Sequence, residues 1–330
     1  MYLKTNPQFR ISLANDAAQP PGREPTDRET SNLMTLEFIS SLKSYPPKFA
    51  GLISEKTSNF LFGPEYKWFW TGLEITQTVL TPEDPDEERL KPRERAPAGF
   101  LLYGIHINGE TQDKKTYRKI GSWAGIIGPW SRTGDLQNWF HVNVLSENRA
   151  ACWENEIGNT PLFIIGIDQS KKIMEYHPWP NDDLSLNAII KKGLYLGTST
   201  SAASLIEFQF GWNPDKHNQY GVSRIGPQYT TDISLDPLGL GPPLSSAFLQ
   251  SLFVFSSLRM DFVVNDQTLA NRDITPRLMV FKLTSGYGIV LNLWNYPISV
   301  TLAATIETRR YDEQKDSHSM VALSLSGFFP

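Results

Sequence analysis

The chain has 330 residues, with 31 Lys and Arg against 35 Asp and Glu and a formal net charge of −4. That balance, without any basic block, excludes nucleic acid as the main partner. Cys152 is the only cysteine, which excludes an intrachain disulfide and a cysteine metal site, and no apolar run reaches the about eighteen residues of a spanning helix.

The opening Met1-Tyr-Leu-Lys lacks the apolar stretch of a secretory signal. The chain therefore reads either as cytosolic or as a mature sequence whose leader has been removed. Beyond it, apolar and polar residues alternate with a period of two along most of the length. Met34, Leu36 and Phe38 alternate with Thr35 and Glu37, and Leu101, Tyr103, Ile105 and Ile107 form one face before Asn108-Gly109. Ile206, Phe208 and Phe210 oppose Glu207 and Gln209, while Leu252, Val254, Leu258, Met260 and Phe262 oppose Phe253, Arg259 and Asp261. Ile298, Val300, Leu302 and Ile306 oppose Ser299, Thr301 and Glu307, and the last run sets Val321, Leu323 and Leu325 against Ala322, Ser324 and Ser326.

This pattern predicts about twelve strands, near 7–16, 32–43, 66–79, 98–109, 116–127, 159–174, 187–199, 203–213, 249–264, 278–293, 298–310 and 318–329. Strands of about ten residues suit a tilted bilayer crossing, and an even number ending at the C-terminus allows closure without a free edge. Trp68, Trp70, Trp179, Trp212, Trp294 and Tyr296 fall near strand ends, as in an aromatic girdle. The connections 80–97, 213–243 and 309–317 are long and polar, whereas 295–297 is a tight turn. Short turns at one end and long loops at the other are the expectation for an outer-membrane barrel. The reading is one domain over residues 1–330, an all-β closed antiparallel transmembrane barrel with a short helix after the fifth strand. A water-soluble β-sandwich is the structural alternative.

The predicted helix lies in Gly125-Ile-Ile-Gly128-Pro-Trp-Ser131-Arg-Thr-Gly-Asp-Leu-Gln137-Asn138-Trp-Phe-His141. A strand meets a Gly-Pro break, Ser131 offers an N-cap, and Gln137 and His141 share one helix face. An imidazole fixed beside a sheet suits general-base chemistry, although a lone histidine is more often structural. His106, His177, His217 and His318 show no partner spacing and read as structural or exposed. No Gly-x-Ser-x-Gly elbow is present, so a serine nucleophile has no support.

Six segments in order resemble the outer-membrane lipid A 3′-O-deacylases, calcium-dependent barrels of twelve strands. They are Ile11-Ser-Leu-Ala-Asn-Asp16, Asp27-Arg-Glu-Thr-Ser-Asn32, Thr81-Pro82 with Glu94-Arg-Ala-Pro-Ala-Gly99, the segment 125–141, Val264-Asn-Asp-Gln-Thr-Leu269, and the terminal Ser-Gly-Phe-Phe. The most specific is Gly-x-x-Gly-Pro…Gln-Asn-x-x-His. The resemblance implies a catalytic role for His141, with Glu147 as an acidic residue of the same site. Asn15 and Asp16 fall on the polar pair beside that histidine, Asp16 being linked to calcium, and Ser31 falls on a pocket hydroxyl. A basic residue of the third loop is implied to bind lipid or oxyanion; Arg89, Lys91 and Arg93 are candidates, and Lys91 is favoured. The chain departs from the family pattern at Ala17, Leu33, Ala96-Pro97 and Pro330.

The expectation is therefore a monomeric outer-membrane hydrolase acting on lipid A of lipopolysaccharide, surrounded by outer-membrane lipids and using calcium. A barrel with a degenerate pocket and a phospholipase are the alternatives. A pore is disfavoured, because inward side chains such as Phe253 and Arg259 would fill a narrow lumen.

Overall fold

A computed structural model describes residues 7–15, 29–40, 60–82, 93–146, 149–179, 183–214, 222–224, 226, 248–269, 274–293 and 296–328. Twelve antiparallel strands close into a barrel in which each pairs with its sequence neighbours and β1 pairs with β12. They are β1 (Gln8–Asn15), β2 (Glu29–Ile39), β3 (Tyr66–Thr81), β4 (Ala98–Thr111), β5 (Thr116–Ile127) and β6 (Thr160–Tyr176). β7 (Leu184–Gly197), β8 (Thr200–Trp212), β9 (Leu249–Asn265), β10 (Met279–Leu293), β11 (Tyr296–Glu307) and β12 (His318–Phe328) complete the ring. The helix α1 (Thr133–Phe140) lies between β5 and β6.

The alternation read from the sequence is an inside–outside alternation. On β9 the exposed side chains are Leu252, Val254, Leu258, Met260, Phe262 and Val264, while Phe253, Phe255, Ser257, Arg259 and Asp261 are buried in the lumen. The outward run from Leu252 to Val264 is about 40 Å long at ~3.4 Å per residue, hence about 29 Å along the membrane normal at a 45° tilt. That height matches a bilayer core. Closure leaves no strand edge unpaired, which is the condition for a sheet to sit in lipid.

The lumen is filled. Toward the end bearing α1, Leu80, Phe100, Leu102, Trp123, Ile127, Leu162, Ile164 and Tyr195 form an apolar cluster. Below it runs a belt of buried charge. Glu37 is paired with Arg10 and lies 2.8 Å from His106 Nε2 and 3.8 Å from Lys119 Nζ. Glu74 is 3.3 Å from Lys119 Nζ and also takes the guanidinium of Arg224.

Arg224 reaches that belt from the connection between β8 and β9. The backbone N–H groups of Val222 and Ser223 donate to the two carboxylate oxygens of Glu207 at 2.8 and 2.6 Å. Ser223 Oγ lies 2.6 Å from Ser257 Oγ, and Arg259 Nη1 donates to the Arg224 carbonyl at 3.1 Å. Residues 222–224 are thus held by β8 and β9 on one side and by β3, on the far side of the ring, through Glu74. They cross the lumen.

This corrects the expected division of loops. The 213–243 connection leaves the same end of the barrel as the tight turn before β11, and the short β7–β8 turn lies at the α1 end. Its described residues 222–224 lie in the lumen rather than at the α1 end.

Candidate active site

The site is built on the tip of β4. At the end of β5 the chain turns at Gly128, whose φ of +102° favours glycine, and a Cβ there would stand 2.6 Å from the Ile157 carbonyl oxygen. Gly128 N–H donates to the Gly99 carbonyl at 2.9 Å. A single 3-10 turn, Pro129–Ser131, leads to Arg132, which takes the N-cap position in the left-handed region at φ 58°. Ser131 is therefore one residue short of the expected cap, yet its Oγ still accepts the Thr133 N–H at 3.2 Å. Thr133 Oγ1 donates to the Phe100 carbonyl and accepts from Gln77 Nε2, both at 3.4 Å. Gln77 and Gly99 occupy outward positions of β3 and β4, so α1 is seated on the outer wall.

A second segment clasps the helix. The five-residue 3-10 stretch Ala151–Asn155 lays Trp153 against Gly134, and the indole N–H donates to Gln137 Oε1 at 2.9 Å. Asn138 Oδ1 accepts the Ala150 N–H at 2.9 Å. Glu156 Oε1 accepts the Gly99 N–H at 3.1 Å, and Ile157 N–H donates to the Pro97 carbonyl at 3.0 Å. Burial pushes the Glu156 carboxyl up to about 7 against the opposing Gly99 hydrogen bond, with the nearby charge of Asp135 adding to the rise. Gln137 and Asn138, read from sequence as motif neighbours of the histidine, are the two points at which the clasp grips the helix.

His141 follows α1 directly. Its N–H still bonds to the Gln137 and Asn138 carbonyls, and the backbone then widens into a π turn, His141–Leu145, that ends at Ser146 with φ 59°. Such widened turns recur at functional sites. The His141 side chain is half-buried. Asn15, also half-buried, ends β1 on an outward position opposite Asn32 of β2 and Val321 of β12. Ser31 lies in a bulge of β2, between Thr30 facing Leu80 and Asn32 facing Val79. The end of β1, the start of β2 and α1 thus share one end of the barrel. Asp16, Lys91 and Glu147 lie outside the described residues. Arg93 is exposed, and its charge acts on Glu313 of the β11–β12 connection.

Among the described residues one group, Glu37, Glu74 and His106, has metal-ligand spacing. It does not fit a resident cation. Arg10, Lys119 and Arg224 already neutralise both carboxylates, so a divalent ion would leave several positive charges buried without partners. The hydrogen-bonded His106 ring is also a poor calcium ligand, since calcium takes oxygen.

The match of residues 3–329 to the family model described as "Outer membrane protein LpxR" decides the identity of this barrel. The chain belongs to the LpxR family. Among solved structures it is similar to LpxR from Salmonella typhimurium, with a TM-score of 0.74, 14% identity, and coverage of 98% of this chain and 100% of that one. The β domain of the Bordetella autotransporter BrkA matches at a TM-score of 0.45 and 8% identity, covering 99% of each chain. No curated protein sequence matches the chain. The LpxR-like barrel is an outer-membrane protein of twelve strands, as the alternation predicted.

One departure from the family pattern now has a structural setting. Leu33 points into the lumen, where it packs in a cluster with Ala14, Val222, Phe253, Phe255 and Met320. It faces away from the wall that carries α1. Sequence reasoning missed Gly99, Trp153 and Glu156; the Ala98-Gly99 pair inside the recognised motif was the available signal for a close approach at that strand tip.

Proposed function

We propose that this protein is a lipid A 3′-O-deacylase of the outer membrane, acting as a monomer on the ester-linked 3′-acyloxyacyl chain. The observation that supports the proposal is the seating of α1, which His141 directly follows in the chain, on the outer wall at the end where β1 delivers Asn15. A lipid substrate reaches such a site laterally from the membrane, without entering the filled lumen.

In this reading His141 is the general base. Its imidazole takes a proton from water as the water oxygen attacks the acyl carbonyl. The carbon–oxygen bond to the sugar then breaks, and the imidazolium returns the proton to the leaving hydroxyl. Asn15 and Asp16 are hard oxygen donors of the type calcium takes, with Asp16 as the assigned ligand; the ion, when bound, supplies a Lewis acid for the carbonyl. Ser31 lends a hydroxyl to the pocket and Glu147 orients the imidazole. Lys91 binds the anionic headgroup. The clasp formed by Trp153 and Glu156 keeps the helix in place on the wall.

Mass spectrometry of lipid A after incubation with the purified protein and calcium tests the proposal. Loss of one acyloxyacyl chain is expected. An unchanged acylation pattern, from protein that shows heat-modifiable mobility, would contradict it. Cleavage of glycerophospholipids in place of lipid A would make the protein a phospholipase.

A further inference from the structure

We propose that α1 is itself immersed in the bilayer, its outer face resting against lipid acyl chains as a continuation of the lipid-facing wall. The helix has its amphipathicity turned outward. Its inner residues, Thr133 against the wall and Gly134 and Gln137 against Trp153, are small or polar and are buried. Its outer face carries Leu136, Trp139 and Phe140, flanked by Trp130 and Val142, and these are 42–73% exposed. A helix in water shows the reverse pattern.

The strands beneath explain what covers that face. Gln77 pairs with Leu101 under the helix, and one outward step lower Ile75 pairs with Tyr103. That step is about 7 Å at ~3.4 Å per residue. Tyr103, Ile105 and Leu73 are 50–55% exposed there, as lipid-facing residues of this barrel are. Above the step, Val79 and Thr81 occupy outward positions yet are buried. Where β9 continues its apolar wall upward to Val264, β3 and β4 hand that wall to α1.

The polar groups of the helix fit the same placement. Arg132 and Asp135 pair at 3.1 Å in the first turn, exposed at 81% and 67%. They suit the headgroup level. Asn143 turns its Nδ2 back to the Trp139 carbonyl at 2.8 Å, which satisfies it within the chain. The occupant is therefore the outer-leaflet lipid layer.

Spin labelling of the full barrel reconstituted in phosphatidylcholine–phosphatidylglycerol vesicles tests this without any reference to catalysis. Cys152, the only native cysteine, is fully buried and is replaced by Ser as a background. Labels are placed by Trp139→Cys, by Leu258→Cys on the lipid wall, and by Asp316→Cys on an exposed connection. The ratio of oxygen to aqueous nickel-chelate collisions at 139 is expected to follow 258. A ratio at 139 that follows 316 would overturn the proposal, as would dipolar broadening at 139, which would mean that a second copy covers the face. Trp130→Cys gives an independent label with the same expected result where Trp139→Cys does not yield a heat-modifiable barrel.

Discussion

The indole N–H of Trp153 donates to Gln137 Oε1 at 2.9 Å, one helical turn before His141. A residue from beyond the helix thus fixes the inner face of the helix that presents the histidine. Trp153→Phe keeps the ring against Gly134 and deletes this one bond, leaving the Gln137 acceptor buried. The loss of one such bond costs ~0.5–1.5 kcal/mol. The expected result is a fall of roughly tenfold in deacylation rate with KM little changed, measured on lipid A, while heat-modifiable mobility is retained.

Gly99→Ala should be more severe. The added Cβ would stand 2.5 Å from Ser131 Oγ and 2.6 Å from Thr133 Cβ, both in the segment that seats α1. The barrel does not depend on that contact, since β4 keeps its pairing with β3 and β5. We expect a folded barrel with activity reduced by about a hundredfold or more, in line with a catalytic group displaced by about 1 Å. Near-normal turnover would show that the helix can shift without consequence.

Glu156 gives a pH dependence with a definite sign. Its carboxyl binds protons more tightly in the folded protein, up to about 7, than an ordinary carboxyl near 4.5. The folded state therefore holds more protons between those values, and its stability falls as pH rises through that window. Below the ordinary value the contribution is constant. Limited proteolysis within 149–159 should accordingly become faster from pH 5 to pH 8 in the wild type, relative to a reference loop. Glu156→Gln keeps an acceptor for the Gly99 N–H and should flatten that dependence.

The architecture was legible in the sequence because lipid and lumen impose opposite chemistry on alternate residues of every strand. Leu258 against Arg259 and Phe208 against Glu207 are unambiguous even singly. The helix was legible from Gly128-Pro129, but its outward apolar face was not, because Trp139 and Phe140 read alone suit a core as well as a membrane. The clasp was illegible for a different reason. Gln137 and Trp153 meet only through a turn with no periodicity, and Glu156 reaches Gly99 across 57 residues of chain. Arg224 was hidden in the same way, since nothing local marks a loop that returns into a barrel.

That returning segment carries a prediction of its own. With residues 222–224 across the lumen and Arg224 on Glu74, the barrel should be electrically silent in a planar bilayer. Glu207→Ala removes both acceptors of the Val222 and Ser223 N–H groups and should produce conducting openings. Conductance by the wild-type protein would contradict the filled lumen.

The most direct test of the central claim is the acylation pattern of lipid A after treatment with His141→Ala, compared with wild type in calcium. An outer-wall site with His141 as its base predicts that wild type removes the 3′-acyloxyacyl chain and that the variant, equally heat-modifiable, leaves it in place. Equal deacylation by both proteins would contradict the claim.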